Sequence, residues 1–369
     1  MMRIVTAACA ALVIAAPAAA QNAASFFART TFSGYVDTYY AYNLNRPATP
    51  CQVVNGVEVF NCLHAFDVVR NGFSLNLVDL GIDKTPTGDS RGGFHVDLSY
   101  GAGELLVAGA ESGRHELPQN LQQAYVSYLA SERGRVRLDF GKFVTPAGFE
   151  RIDPSLDWNG SRSLLFALAI PRDHFGLRAV FAPADWITVM GLVTNGWRDV
   201  ADNAGARRAG VSVSVRPAKA VTVTETYLTG PETSISNTGW RDLSDTVVVA
   251  RIADGLSVAF NADVGRDRST LQEWDGAALY VHYQMRDWFS ITPRVESLRD
   301  HDGFMTGVAQ DLQEGTITAE FKPAPAGALR LEYRVDVTDR PYFLRGASNT
   351  VRTQSIASAT WVIVFNSHG

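Results

Sequence analysis

The segment LRLEYRVDVT, residues 329–338, alternates apolar and polar side chains over ten consecutive positions. Successive side chains of a β-strand point to opposite faces, so this period of two predicts a strand with one apolar and one polar face. The polar face carries charges of alternating sign, on Arg330, Glu332, Arg334 and Asp336.

The same period recurs along the chain from Phe32 onward. It is clear in FHVDLSY (94–100) and in residues 211–216, 256–265, 277–284 and 316–322. Sixteen candidate strands begin near Phe32, Arg70, Gly92, Leu121, Arg135, His174, Trp186, Arg207, Ala220, Thr246, Gly255, Asp275, Trp288, Asp311, Ala328 and Arg352. The pattern therefore predicts an all-β chain.

The connections between these strands alternate in length. Tight turns such as SERG (131–134), PAD (183–185) and IADG (252–255) separate longer connections. The longer ones are residues 45–69, 102–120, 143–173, 196–206, 230–245, 267–274, 299–310 and 339–351. Transmembrane barrels combine an even strand number with short periplasmic turns and long outward loops, whereas a β-sandwich has no reason to sort its loops by length. We predict a transmembrane antiparallel up-and-down β-barrel of about 16 strands over residues 32–365, with its polar faces toward the lumen.

The N-terminus has the features of an export signal. Arg3 precedes an apolar run over residues 4–16, and the stretch ends in AAA at residues 18–20. A charged start, an apolar region and small residues at a cleavage position predict a signal peptide at residues 1–20. A membrane-anchoring helix is the alternative, but Pro17 interrupts an already short run. We expect residues 21–369 to form a single barrel domain in the cell outer membrane.

Charge and cysteine content limit the possible ligands. The net charge is −5 and no basic patch occurs, which argues against nucleic-acid binding. Cys9 falls in the signal peptide, and Cys51 and Cys62 are expected to form a disulfide in an exported protein. Two thiols and the nearby His64 are too few for a metal site, so we expect neither a metal nor a cofactor.

Several blocks resemble the OmpL-like β-barrel porins. These are FSGYVDTYYAYNLNRP (32–47), NGFSLNLVDLGIDK (71–84), QQAYVSYLA (122–130), DFGKFVTPAGFERIDPSLDWNGSRSLLFALAIP (139–171) and VTNGW (193–197). The resemblance runs across nearly the whole mature chain. It implies an outer-membrane barrel that passes small solutes, and it supplies no substrate and no functional residues. The loop CQVVNGVEVFNC (51–62) and the tail NSHG (366–369) are not expected in every member.

Charged side chains on the polar faces are candidates for a pore wall. They are Asp97, Arg135, Arg137, Asp139, Arg178, Arg294, Glu296, Arg330, Glu332, Arg334 and Asp336. One interpretation is a wall that tunes ion passage, and the other is mutual neutralisation that only keeps the lumen wet. Because acids and bases nearly balance, ion preference stays open, with a weak lean to cations from the net acidity.

The connection 143–173 is the longest and is the third outward loop. In general porins the loop at this place folds inward and narrows the lumen, where opposed charges select solutes. The candidate constriction residues are Glu150, Arg151, Asp153, Asp157, Arg162 and Arg172. The apolar segment 163–170 is suited to packing the loop against the barrel wall. The alternative is a loop that rests on the outer rim.

The most consistent function is an outer-membrane porin through which small hydrophilic solutes or ions diffuse. A solute-specific channel is the main alternative. A barrel hydrolase would use His95 or His282, but the histidines are scattered and no HExxH or G-x-S-x-G motif occurs, so we expect no catalytic residue. A receptor or adhesin is also possible. The expected partners are outer-membrane lipid and the solute, together with two further copies in a homotrimer by analogy with general porins.

Overall fold

The computed structural model describes residues 29–108, 120–131, 134–197, 207–232, 239–324 and 326–367. The predicted signal peptide, residues 1–20, lies outside the described residues. Within these ranges no helix is both long enough and apolar enough to cross a membrane.

Sixteen strands of the described chain form one closed antiparallel barrel. They are β1 (Thr31–Asn43), β4 (Gly72–Lys84), β5 (Gly92–Tyr100), β6 (Leu121–Leu129), β7 (Val136–Val144), β8 (Asp173–Ala184), β9 (Ile187–Thr194), β10 (Arg208–Ala218), β11 (Val221–Pro231), β12 (Trp240–Ala253), β13 (Leu256–Asp267), β14 (Gln272–Arg286), β15 (Phe289–Asp300), β16 (Gln310–Ala324), β17 (Gly327–Thr338) and β20 (Thr353–Asn366). Each strand pairs with its neighbours in the sequence of barrel strands, and β1 also pairs with β20, which closes the barrel. The predicted fold class is confirmed.

Small elements occupy the outward connections. Hairpin β2–β3 (Gln52–Val54 and Val57–Val59) lies in the first connection, and hairpin β18–β19 (Phe343–Arg345 and Asn349–Val351) lies in the last. Helix α1 (Ala102–Ala108) follows β5. The connection from β7 to β8 contains two helical turns, Pro154–Leu156 and Leu165–Ala169.

The largest difference from the predicted boundaries is at β12, which begins at Trp240 and not near Thr246. Its first residues, WRDLSD, place polar Asp242 and Ser244 on the outward face, so the apolar alternation starts late. Backbone pairing does not need that alternation, because β11 and β13 extend alongside and supply hydrogen-bond partners.

The two faces of the wall have opposite polarity, as the prediction required. On β17 the charged Arg330 and Arg334 are buried, while Leu331 and Tyr333 are 46% and 43% exposed on the other face. A soluble barrel would bury its apolar face, whereas a barrel in lipid turns that face outward. Exposed aromatic residues such as Trp186, Trp288 and Tyr283 stand near the short turns, where girdle residues meet the membrane interface.

A disulfide ties the first outward connection together. Cys51 and Cys62 are bonded across hairpin β2–β3, with their Cα atoms 6.0 Å apart. The bond fixes the point at which the chain leaves the hairpin and turns toward the barrel interior.

Alkylation tests this disulfide directly. In the mature chain, denatured without reductant, we expect neither Cys51 nor Cys62 to react with a maleimide, and both to react after reduction. Denaturation is needed because Cys62 is buried and would be protected even as a free thiol. Mass spectrometry reads the result, and Cys51→Ser serves as the control in which Cys62 reacts without reductant. Labelling of both cysteines before reduction would contradict the bond.

Candidate functional site

The connection from β7 to β8, residues 145–172, crosses the barrel lumen. We call it the crossing loop. Its backbone is bonded to side chains on strands from β12 to β17, and its other side lines a cavity together with β1, β4, β5 and β6. A single segment can reach both sides of a closed barrel only through the interior. The six candidate constriction residues therefore all lie inside the barrel.

We call strands β9 to β17 the far wall. Carboxylates of this wall accept hydrogen bonds from backbone N–H groups of the crossing loop. The contacts are Gly148 N to Asp245 (2.9 Å), Leu164 N to Glu296 (2.8 Å), Gly160 N to Glu332 (2.7 Å) and Ser161 N to Glu332 (3.0 Å). These N–H groups have no β-ladder partner, and a buried unpaired backbone group is costly. The acids of the wall therefore replace the missing ladder.

Arginines of the same wall donate to carbonyl oxygens of the crossing loop. The contacts are Arg330 to Pro154 O and Asp157 O (both 2.8 Å), Arg294 to Ser161 O (2.8 Å) and Arg334 to Arg162 O (2.5 Å). All three side chains are buried. Arg294, Glu296, Arg330, Glu332 and Arg334, which we selected as pore-wall residues, thus lie beneath the loop and hold it. Asp336 lies beside them and pairs with Arg334 (2.7 Å).

A glycine near the start of the crossing loop allows the close approach. Gly148 has a φ of +86°, and a Cβ added there would lie 2.5 Å from Ile170 Cδ1. L side chains rarely adopt that φ, so the PAG sequence before Phe149 has a local structural reason.

Two ion pairs involve three of the six charged residues of the loop. Glu150 bonds Arg294 at 2.9 Å, and Asp157 bonds Arg162 at 2.8 Å. Arg162 also donates to the carbonyls of Arg151 (2.7 Å) and Ile152 (2.9 Å), which folds the loop on itself. Burial raises the pKa of Asp157 to about 7, against the lowering effect of Arg162 and with a further rise from Glu150.

The apolar segment of the loop packs against an apolar part of the far wall. Leu164, Leu165 and Phe166 are buried in one cluster with inward side chains of the barrel. These include Leu192, Leu228, Leu243, Ala259, Trp274, Leu298 and Leu312. Trp274 Nε1 also donates to Ala169 O at 3.2 Å. This packing holds the apolar segment of the loop against strands β9 to β16.

A second inward segment, residues 60–68, was not predicted from the sequence. Gln354 Nε2 donates to Cys62 O (3.2 Å), and the Phe66 ring lies 6.0 Å from that of Phe166 in the crossing loop. The sequence signal that could have indicated it is the presence of apolar residues in a connection between strands. Leu63, Ala65 and Phe66 of this connection are all buried.

His64 secures the second segment to the barrel wall. Its ring nitrogens contact Asp67 (2.6 Å) and Asp336 (3.1 Å). Burial and Arg334 lower the pKa of His64, but the two carboxylates outweigh them, so the net shift is upward from the usual value.

We call strands β1 and β4 to β8 the near wall. This wall carries the other predicted wall residues. Asp139 accepts from Arg178 (2.7 Å) and Arg137 (3.2 Å), while His95 contacts Asp97 (2.8 Å) and Asp83 (3.0 Å). Arg135 is different, because it precedes β7 in the short turn and is exposed at the rim.

A cavity of about 280 Å³ separates the crossing loop from the near wall. We call it the wall-side gap. Tyr35, Asp79, His95 and Asp97 line it from the barrel, and Arg151 and Asp153 line it from the loop. Glu150 and Arg172 also reach it, but Asp157 and Arg162 are not among its lining residues. Of the six predicted constriction residues, four therefore face the gap.

The described residues do not assemble a hydrolytic site at the histidines that we considered. His95 is bonded to carboxylates, and His282 is bonded to Thr292 (2.9 Å) and Gln284 (3.3 Å) without a carboxylate to orient it. Over the same ranges, no group of three or more His, Cys, Asp or Glu is suited to hold a metal ion.

Three solved structures share this architecture. The anion-selective porin of Comamonas acidovorans is 11% identical, with a TM-score of 0.61 over 91% of this chain and 99% of its own. OmpT of Vibrio cholerae, in a trimer form, is 11% identical with a TM-score of 0.60 over 91% and 99%. The outer-membrane channel DcaP of Acinetobacter baumannii is 12% identical with a TM-score of 0.57 over 91% and 97%. At these identities the likeness shows the fold.

The family assignment comes from the sequence. No curated protein matches the chain. A family described as "Putative beta-barrel porin-2, OmpL-like" matches residues 29–365, nearly the whole length. Together with the closed barrel of sixteen strands in the described residues, this match shows that the chain belongs to the OmpL-like porin family and is an outer-membrane porin.

Proposed function

We propose that small hydrophilic solutes and ions diffuse through the wall-side gap and that the crossing loop is the constriction. The supporting observation is the asymmetry of the loop. One side is bonded and packed against strands β9 to β17, and the other side lines the wall-side gap, whose walls carry charged and amide side chains beside apolar ones. Charged and amide side chains around the gap replace part of the hydration shell of a passing solute.

The fixed position of the loop is what makes it a constriction. Its carbonyl and N–H groups are held by buried arginines and carboxylates, and a hydrogen bond to a charged group contributes about 1.5–3 kcal/mol. The diameter of the gap is therefore set by the folded structure. This supports passive diffusion through a permanent opening.

We infer a channel without catalytic activity, because the family is one of porins and neither His95 nor His282 is placed with a nucleophile and an orienting carboxylate in the described residues. We also propose that residues 1–20 direct export and are removed, leaving residues 21–369 as one barrel domain. The charged start and the small residues at 18–20 support this.

We expect single-channel recordings to show the channel. The refolded mature protein in a planar bilayer should give discrete current steps in KCl. Heat-modifiable gel mobility confirms beforehand that the barrel is folded. Folded protein that inserts but gives no steps would mean that the gap is closed, and the diffusion proposal would fail.

The anchoring of the crossing loop is tested by Arg330→Met. This change removes the donors to Pro154 O and Asp157 O and leaves Glu320 without its 2.8 Å partner. Because the barrel ladder is untouched, we expect a folded channel whose open-state current is larger and noisier than that of the wild type. Arg340→Met is the matched control, since Arg340 is exposed in an outer connection.

Identical current noise in Arg330→Met and wild type would argue against the loop as the constriction. Glu332→Gln supplies a second variant, because it weakens the bonds to Gly160 N and Ser161 N without changing side-chain size. The two variants act on different atoms of the same loop, so both should raise the noise.

We propose a homotrimer as the assembled state. The support is that OmpT of Vibrio cholerae, which has the same fold, occurs in a trimer form. Light scattering of the detergent-solubilised protein, corrected for bound detergent, should give the mass of three chains. The mass of one chain at micromolar concentration would contradict the trimer.

A further inference from the structure

We propose that the wall-side gap contains a binding site for protonated amines, formed by Asp79, Asp153 and Tyr35. This inference rests on the proposed function and deepens it, because it names the chemical class of solute that the channel retains and passes. Asp79 and Tyr35 belong to strands β4 and β1, and Asp153 belongs to the crossing loop.

The first step is the separation of charges within the lumen. Arg162, Arg294, Arg330 and Arg334 are buried and donate to carbonyl oxygens of the crossing loop, and none of them lines the gap. The sequence shows acids and bases in near balance. The fold uses these four arginines behind the loop. The acids that line the gap are Asp79, Asp97, Glu150 and Asp153, and the bases are His95, Arg151 and Arg172.

The second step is the state of the two carboxylates. Asp79 accepts from the Ser99 hydroxyl (2.5 Å), and Asp153 accepts from Ser155 N (2.8 Å). Both donors are neutral, and neither acid belongs to an ion pair of the described residues. Both acids line the gap together with Tyr35. An ammonium group that enters the gap thus meets two carboxyl groups that make no ion pair within the described residues.

The third step is an unsatisfied hydroxyl group. Tyr35 is 4% exposed and lines the gap, and its hydroxyl has no hydrogen-bond partner among the described residues. Buried polar groups normally have a partner, so this oxygen marks a position that a ligand N–H group can fill. The Tyr35 and Phe166 rings add apolar surface, and aromatic faces attract ammonium groups.

The cations at the gap are held by groups of their own. His95 lies between Asp83 and Asp97, and Arg151 Nη1 donates to Gly148 O (2.7 Å) and Glu150 O (3.1 Å). Arg172 donates to Ala167 O (3.2 Å) and stands over the Phe66 ring. Each of these cations thus has hydrogen-bond partners other than Asp79 and Asp153.

An organic ammonium fits this geometry better than a metal ion. Within the described residues the acids of the gap do not form a group of three or more that could hold a metal. A primary ammonium carries three N–H donors, which match the oxygen acceptors of Asp79, Asp153 and Tyr35. The cavity of about 280 Å³ sets the size at a small molecule.

The experiment uses single-channel recording of the full mature protein with putrescine as the probe. In wild type we expect a cation-selective reversal potential in a KCl gradient, and transient current block by putrescine but not by 1,4-butanediol or succinate. Asp79→Asn and Asp153→Asn should each weaken the block at least tenfold and shift the reversal potential toward the anion side. Tyr35→Phe should weaken the block by a smaller factor with little change in the reversal potential.

Asp339→Asn is the matched control, because Asp339 is an exposed acid in the last outer connection and should leave the block unchanged. Discrete steps without putrescine block, or block that Asp79→Asn and Asp153→Asn leave intact, would overturn the amine site while the porin function stands. A folded protein without any steps would instead remove the proposed function itself. If Asp79→Asn does not fold, Asp153→Asn and Tyr35→Phe decide the outcome.

Discussion

The exclusion of charge from lipid is the constraint on which the rest of this structure depends. It forces the apolar face of every barrel strand outward and confines the charged face to the lumen. The lumen then contains many charges that need partners. The crossing loop supplies them, since its backbone N–H and C=O groups lack a ladder and bond to Glu296, Glu332 and Arg330. The charges of the wall and the loop backbone thus stabilise each other.

Within the described residues, the bonds between wall charges and the loop backbone lie along strands β12 to β17, and on our proposal this asymmetry leaves the channel on the other side. From β9 to β17 the wall presents leucines, arginines and carboxylates that match the buried segment 163–170 and the loop backbone. The near wall presents Asp79, Asp97 and Gln123 to the gap, and in the described part of the chain their hydrogen bonds are with Ser99, with His95, between Asp97 and Gln123, and with Val144 N at the end of β7. The loop is therefore attached to one wall, and the opposite wall stays in contact with the gap.

The fold could be predicted because the two-residue periodicity and the alternation of short and long connections can both be read directly along the chain. The late start of β12 was missed since Asp242 and Ser244 break the outward apolar pattern without breaking backbone pairing. Side-chain parity identified part of the inward charges, such as Arg294 and Arg330, and missed others, such as Asp79 and Asp245. It could not tell that Arg294 and Arg330 lie under the loop while Asp79 faces the gap, because that depends on contacts between residues more than a hundred positions apart. The inward segment 60–68 was missed for the same reason.

The different positions of the arginines and the acids follow from the chemistry of their side chains. Arginine carries several N–H donors in a planar group, so one buried side chain such as Arg330 can hold two or three carbonyls at once. Ionised carboxylates accept hydrogen bonds from N–H groups but have no hydrogen to donate to a carbonyl oxygen. The carbonyl oxygens of the loop therefore bond to arginines. The acids that line the gap are not those of the far wall that hold the loop backbone. On our proposal, selectivity resides in residues that do not hold the loop against the far wall, and for this chain those are Asp79 and Tyr35 on the wall and Asp153 on the loop.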